Sequence, residues 1–201
     1  MKYKAIYCDP PWSYFNKKNH DSSMGGTPYK QIPLEELKNL PIQQIADKDS
    51  ILFMCATLPK LPEALETIKS WGFSYTTCPF VWVKLNPKGS LEVDKENNRT
   101  ILNGGIYSGL GHWTCGNAEL VLMGKKGAPK RINKSIKQII IAPRAQHSRK
   151  PDEIRQRIVQ LMGDVPRIEL FATEIVEGWD SIGGAIDGMD IAESLQKIIE
   201  K

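Results

Sequence analysis

Tyr3-Lys4-Ala5-Ile6-Tyr7-Cys8-Asp9-Pro10-Pro11-Trp12 decides how this chain is read. The first six residues are mostly apolar and β-prone, so a strand is expected to end where Asp9 meets the two prolines. Proline fixes φ at about −65° and has no N–H to give. It also pushes the residue before it out of the helical region. Two in a row make a stiff, extended corner whose carbonyls point past the strand. With a carboxylate on one side and an indole on the other, the corner has the parts of a slot. Such a slot accepts hydrogen bonds from an –NH2 group and stacks on a flat ring, and adenine presents that pair of features at its exocyclic N6. Taken alone, the tetrapeptide reads equally well as an ordinary strand-to-turn corner.

Length and composition frame the rest. The 201 residues suit one domain spanning 1–201, with a core that needs no staples. At 41% hydrophobic and 25% charged residues, the chain is a globular protein rather than a disordered one. No apolar run is long enough to span a membrane. The Met-Lys-Tyr-Lys-Ala start has no signal-peptide character, so a cytoplasmic location is expected. Cys8, Cys55, Cys78 and Cys115 stand singly, and His20, His112 and His147 lie far apart, so no metal site is expected. Net charge is only +4, but Leu120 through Pro151 contains no acidic residue. That window carries Lys125, Lys126, Lys130, Arg131, Lys134, Lys137, Arg144, Arg149 and Lys150. Such a block attracts a polyanion, or simply keeps a loop solvated.

Apolar runs alternate with helical patterns. Candidate strands are 3–8, 51–56, 78–84, 118–123, 138–142 and 167–171. Helical spacing runs from Pro59 to Trp71, ahead of Gly72, and from Pro151 to Met162, ahead of Gly163. A shorter helix is expected from Leu34 to Leu40, and Asp190 with Glu193 resembles a capping box for a last helix. Strands alternating with crossover helices predict an α/β fold on a mostly parallel sheet. Ligands of such sheets bind beyond the carboxyl ends of the strands, where Asp9 and the residues after Phe171 fall. The segments His20–Gln31 and Asn86–Gly111 read as long loops.

Further motifs follow the corner in a known order. They are Tyr29, Trp71-Gly72-Phe73, Val81-Trp82-Val83-Lys84, Gly109-Leu110-Gly111-His112-Trp113 and Asn117-Ala118-Glu119. Then come Gly124-Lys125-Lys126-Gly127, His147-Ser148-Arg149-Lys150-Pro151-Asp152-Glu153, Arg167-Ile168-Glu169-Leu170-Phe171-Ala172 and Gly178-Trp179-Asp180. In this order, from Tyr3 to about Gly188, the chain resembles the MT-A70 family of N6-adenine methyltransferases.

The resemblance implies a Rossmann-like, S-adenosylmethionine (SAM)-dependent methyltransferase sheet with flanking helices. Its catalytic motif lies ahead of the cofactor-binding strand. It assigns catalysis to Asp9, Pro10, Pro11 and Trp12. It places Cys8, Asp9, Ser148, Lys150, Glu169, Leu170, Phe171, Ala172 and Thr173 around the cofactor, with Lys150 pairing its carboxylate. It places Tyr29, Trp82, Lys84, His112, Trp113 and Glu119 around the acceptor base. The implied partner is nucleic acid, DNA in preference and RNA as the alternative, because the chain lacks the accessory domains of messenger-RNA writers. A catalytically silent nucleic-acid-binding scaffold is a further alternative, although the intact tetrapeptide argues against it. The chain departs from larger relatives at its short N-terminus and at Ile182, where a second Trp often stands, which leaves the ribose and adenine contacts near Thr173 and Gly183-Gly184-Ala185 open. Trp82 and Trp113 also read as core aromatics, and Lys84 as a solvated strand-end lysine.

The residue types suit the chemistry. The adenine amine is a poor nucleophile because its lone pair is delocalised into the ring. A carboxylate at Asp9 and the Pro10 carbonyl can each accept one of its hydrogens, and those bonds strengthen as nitrogen becomes tetrahedral and positive. In a duplex the base would have to flip out of the stack.

Overall fold

The computed structural model describes residues 2–13, 31–109, 113–145 and 149–200. Nine strands run in chain order: β1 (Tyr3–Cys8), β2 (Ala46–Ala56), β3 (Ser74–Leu85), β4 (Ser90–Asp94), β5 (Arg99–Asn103), β6 (Ala118–Lys126), β7 (Ile139–Pro143), β8 (Arg167–Leu170) and β9 (Asp180–Ile182). The helices are α1 (Leu34–Lys38), α2 (Ile42–Ile45), α3 (Leu61–Ser70), α4 (Asp152–Met162), α5 (Gly184–Asp187) and α6 (Ile191–Ile199). Seven strands form one sheet in the order β7-β3-β6-β2-β1-β8-β9, and β4 pairs with β5 apart from it.

The sheet is mixed but mostly parallel, as the alternation of strands and helices predicts. Strand β1 runs parallel to β2 and β8, β3 to β7, and β8 to β9. Only β6 is inverted, antiparallel to both β2 and β3. One edge of the sheet therefore collects the carboxyl ends of β1, β2, β3, β7 and β8 together with the start of β6 at Ala118-Glu119. The opposite edge receives the end of β6 at Lys125-Lys126.

Side chains alternate across each strand, so the sheet builds two cores. On one face Ile6, Cys8, Leu52, Met54 and Leu122 pack with Leu37, Ile68, Trp71 and Leu195 from α1, α3 and α6 and the turn after α3. Trp71 is fully buried and donates its ring N–H to the Leu37 carbonyl at 2.9 Å. On the other face Tyr7, Phe53, Phe80, Trp82 and Ile140 meet Ile154, Ile158 and Met162 of α4. The central strands are covered on both faces, which explains why they read as continuous apolar runs rather than alternating ones.

Helix ends follow the sequence closely. Gly72 and Gly163 both adopt positive φ, 79° and 82°, just past α3 and α4, a conformation glycine takes without steric penalty. Asp190 caps α6 by accepting the Ala192 N–H at 2.9 Å. The reciprocal Glu193 bond of a full capping box is absent among the described residues.

Two differences have clear causes. Strand β2 starts at Ala46 rather than 51, because polar Asp47, Lys48 and Asp49 sit in a half-exposed extension. The segment 86–111, expected as a loop, contains the β4–β5 hairpin. In it Leu91 stands opposite Leu102 and Val93 opposite Thr100, scattered among charges. Asp94 closes the turn by accepting the N–H groups of Glu96 and Asn97, and Asn98 takes a positive φ of 50°.

Candidate active site

Strand β1 ends with Cys8 in register with Met54 of β2 and Leu170 of β8. Asp9 therefore emerges at the carboxyl edge between two neighbouring strand ends. The corner that follows is fixed on both sides. Trp12 N–H donates back to the Pro10 carbonyl at 2.8 Å, and Ile32 N–H donates to the Pro11 carbonyl at 3.3 Å. One acceptor direction of Pro10, expected to point outward, is thus already used by Trp12.

Asp9 opens onto a chain of four alternating charges. Lys150 Nζ lies 2.7 Å from Asp9 Oδ2 and 3.2 Å from Glu119 Oε2. Lys84 Nζ lies 2.6 Å from Glu119 Oε1 and 5.1 Å from the centroid of the Trp82 ring. The sheet explains the meeting. Glu119 stands directly opposite Trp82 in the β3–β6 pair, and Lys84, two residues on, shares that face. Lys150 arrives from just ahead of α4, which covers the same face.

Exposure ranks the four. The side chains of Lys150, Glu119 and Lys84 keep 10%, 14% and 18% of their surface, whereas Asp9 keeps 33%. Asp9 is thus the member that can meet a ligand most directly. Desolvation raises the Asp9 pKa, Lys150 beside it pulls the other way, and the net direction is upward. Burial also opposes ionisation of Glu119, but its two lysines outweigh it and hold that carboxyl below the usual range. Lys150 is raised in turn, because Asp9 and Glu119 outweigh its desolvation.

A second buried pair lies beneath the site. Arg155 of α4 clamps the Glu169 carboxylate with two bonds, Nε to Oε2 at 2.7 Å and Nη2 to Oε1 at 2.9 Å. Glu169 is thereby committed to the protein interior, and desolvation leaves its pKa raised in spite of the arginine. Tyr7 lies under Arg155 and contacts Cys55 Sγ through its hydroxyl at 3.3 Å.

The expected site residues divide as follows. Asp9, Lys84, Glu119 and Lys150 are brought together. Trp82 is 3% exposed and donates its ring N–H to the Ala142 carbonyl, so it supports Lys84 from within the core. Trp12 is 8% exposed, faces the opposite core from Asp9's charge chain, and donates its ring N–H to the Cys55 carbonyl at 3.2 Å. It also lines a cleft of about 390 Å³ with Ile32, Pro33, Leu34, Leu37, Lys60 and Glu63, a cleft whose wall does not include Asp9. Cys8, Leu170 and Ala172 are buried, and Thr173 is exposed. Between them Phe171 takes a positive φ of 61°, which for a bulky residue marks a strained turn at the end of β8. Trp113 is almost wholly exposed and is not brought to the charge chain. Tyr29, His112 and Ser148 lie outside the described residues.

Three supports escape a sequence reading. Arg155 is not singled out by the sequence, Cys55 stands there as a lone cysteine, and Arg144 as one of a basic block. In the fold Arg144 stacks on Tyr107 with 3.9 Å between its guanidinium carbon and the ring centroid. Only Arg155 left a signal, its three-residue spacing from Asp152, which it meets at 2.9 Å.

Among the described residues no group of three or more His, Cys, Asp or Glu is placed to hold a metal ion. Among the described residues no helix is long and apolar enough to cross a membrane.

Comparison with known proteins identifies the family. The family model for MT-A70 matches residues 3–185. The chain is 31% identical to the Type II methyltransferase M.MunI of Mycoplasma sp over 90% of its own length and 77% of that protein. It is 27% identical to the N(6)-adenosine-methyltransferase catalytic subunit METTL3 of Homo sapiens and to the MT-A70-like protein of Drosophila melanogaster. There it spans 96% of itself but only 30% and 28% of those longer proteins. A family match over residues 3–185, most of the chain, places it in the MT-A70 family of methyltransferases.

Proposed function

We propose that this protein transfers the methyl group of S-adenosylmethionine to the exocyclic N6 of adenine in DNA. The observation that carries the reading is the Asp9 carboxylate, one-third exposed at the end of β1 and held by Lys150 at 2.7 Å. The extent of the match to a Type II methyltransferase supports DNA as the acceptor. The N(6)-adenosine names of several relatives favour RNA as the second reading.

The residues at the edge suit the cofactor. The amino-acid end of S-adenosylmethionine is a zwitterion and needs one partner of each sign, and Lys150 and Asp9 supply such a pair at one place. The turn at Phe171 and the exposed Thr173 bring backbone and a hydroxyl to the neighbouring strand end. When bound, the cofactor supplies an electrophilic methyl group.

The chain's own residues do the rest. Asp9 accepts an N–H of the target amine, a bond that strengthens as positive charge develops on nitrogen. Lys150 favours the ionised form of Asp9, the form able to accept. Glu119, anchored by Lys84, holds Lys150 in place from behind. The rigid Pro-Pro corner fixes the carboxylate, so orientation is provided before the reactants meet, an effect worth several kcal/mol, up to about 10, in well-aligned systems.

Transfer of tritiated methyl groups to unmodified DNA and RNA, followed by nucleoside analysis, tests this. N6-methyldeoxyadenosine from DNA is the expected product. Label confined to N6-methyladenosine in RNA would move the substrate to the second reading, and label on cytosine would remove adenine.

A further inference from the structure

The basic block from Leu120 to Pro151 is split by the fold. Its last three cations lie at the catalytic edge, and each is occupied. Arg144 stacks on Tyr107, Arg149 pairs with Glu174 at 3.0 Å and Asp152 at 3.3 Å, and Lys150 pairs with Asp9. They have little charge left to offer a polyanion.

The first cations lie at the other end of the molecule. Because β6 is inverted, it delivers Lys125 opposite Ser74 and Lys126 opposite Ser50, at the edge away from Asp9. The chain then runs without regular structure to Ile139, tethered at two points. Ala128 N–H donates to Asp49 Oδ1 at 2.8 Å, and Ile132 N–H donates to the Leu161 carbonyl in the last turn of α4 at 2.9 Å. Along this segment Lys125, Lys130, Arg131 and Lys134 are exposed, and none makes an ion pair among the described residues. Asp49 Oδ1 is taken up by the backbone of Ala128, and residues 125–138 themselves contain no acidic side chain.

Distance shows that this surface does not serve the target nucleotide. The six residues of β1 that separate the two edges span about 20 Å. At physiological salt exposed charges more than about 8–10 Å apart are largely screened from one another. Exposed charges at the far edge therefore act on a partner of their own. A compact anion would need convergent donors in a pocket, whereas spaced cations on an extended segment match a repeating polyanion. The backbone of a duplex covers about 20 Å in about six base-pair steps.

We propose that Lys125, Lys130, Arg131 and Lys134 form a second, non-catalytic seat for the phosphodiester backbone of nucleic acid, at the sheet edge opposite Asp9. The inference rests on the nucleic-acid reading of the site. The seat adds affinity without sequence information, and it engages only a substrate long enough to reach it.

The test uses the full chain and a K125Q/K130Q/R131Q/K134Q variant, with Lys130→Glu alone as a second variant in case the first fails to fold. Affinity is measured against salt for duplexes of about 10 and about 30 base pairs, and for vesicles containing anionic phospholipid. Each lost phosphate contact lowers the slope of log K against log salt by about 0.9, so the four-site variant should lose about 3 to 4 units of slope on the long duplex. It should also lose the gain in affinity that the wild type shows from short to long duplex. A variant with the wild-type slope and length dependence overturns the second seat and leaves the methyl-transfer reading standing. Loss of vesicle binding with unchanged duplex binding overturns it in favour of a lipid surface. A wild type that binds neither duplex nor single strand at low salt removes the nucleic-acid reading itself.

Discussion

Lys150 reaches across 141 positions of sequence to place its ammonium 2.7 Å from the Asp9 carboxylate. That contact joins the end of the first strand to the segment entering α4. Asp9 at the strand end loses solvation, which raises its pKa, and the lysine opposes that rise. The Glu119–Lys84 pair behind them completes a network of two positive and two negative groups, so its members are mutually compensated.

The first consequence concerns pH. Asp9 is raised above the ordinary aspartate value by burial, and Lys150 opposes that rise. A protonated Asp9 no longer has a full carboxylate to accept the amine hydrogen, so methyl transfer falls as pH drops through the Asp9 pKa. Lys150→Met removes the opposing cation and should move this acid limb to higher pH. Single-turnover rates across pH, at saturating cofactor and substrate, give the comparison. A limb that stays in place would show that Lys150 does not govern the charge on Asp9.

Arg155 and Glu169 make the most enclosed ion pair of the described residues, with side chains 6% and 7% exposed. Arg155→Met alone strands a buried carboxylate and should cost about 3–5 kcal/mol of stability. Arg155→Met with Glu169→Leu should recover most of that loss. Denaturant unfolding of the wild type, both single variants and the double variant measures the coupling. Additive losses in the double variant would be inconsistent with a direct pair.

Glu119 makes the fold sensitive to acid in a defined direction. Its folded-state pKa lies below the ordinary glutamate value of 4.5, so its ionised form contributes stability that is fully present above that value. The contribution is lost as pH falls through the lower, folded-state value. Glu119→Gln should lower stability at pH 7 by about 1–3 kcal/mol and make the acid limb shallower. Chemical denaturation at a series of pH values provides the readout. An acid limb as steep as that of the wild type would exclude Glu119 as a contributor.

Trp12 sits at the corner but packs into the core. Trp12→Ala should cost about 3–5 kcal/mol by opening a cavity. Trp12→Phe keeps most of the packing and loses the bond to the Cys55 carbonyl, at about 1 kcal/mol. Thermal unfolding and KM for the nucleic acid separate the roles. If Trp12→Phe raised KM sharply without changing Tm, the indole would be a base-stacking platform rather than a structural anchor.

The sequence made the strand ends legible where its grammar is strong. Apolar runs marked β1, β7 and β8 to within a residue or so, and Gly72 and Gly163 marked the ends of α3 and α4. The Asp-Pro-Pro-Trp corner located the partly exposed Asp9 carboxylate at the end of β1 because two prolines leave little conformational choice. Four things were hidden, each for a physical reason. The β4–β5 hairpin has exposed strands, so burial leaves little hydrophobic alternation to detect. The inversion of β6 depends on sheet order, which no local pattern encodes, and it is this inversion that sends the first part of the basic block away from Asp9. The roles of Trp12 and Trp82 turned on which face of the sheet each side chain takes. Trp82 falls two residues after buried Phe80, and its ring is sealed by the Ala142 carbonyl. The meeting of Lys84, Glu119 and Lys150 required three separated segments to reach one edge, which only the folded chain discloses.

The most direct test is the single-turnover rate of methyl transfer to adenine in DNA by the wild type and by Asp9→Ala, with cofactor affinity and thermal stability measured alongside. A folded Asp9→Ala variant whose rate falls by about a hundredfold or more, the scale for losing a transition-state hydrogen-bond partner, is the predicted result. A folded Asp9→Ala variant that transfers methyl groups at the wild-type rate would contradict it.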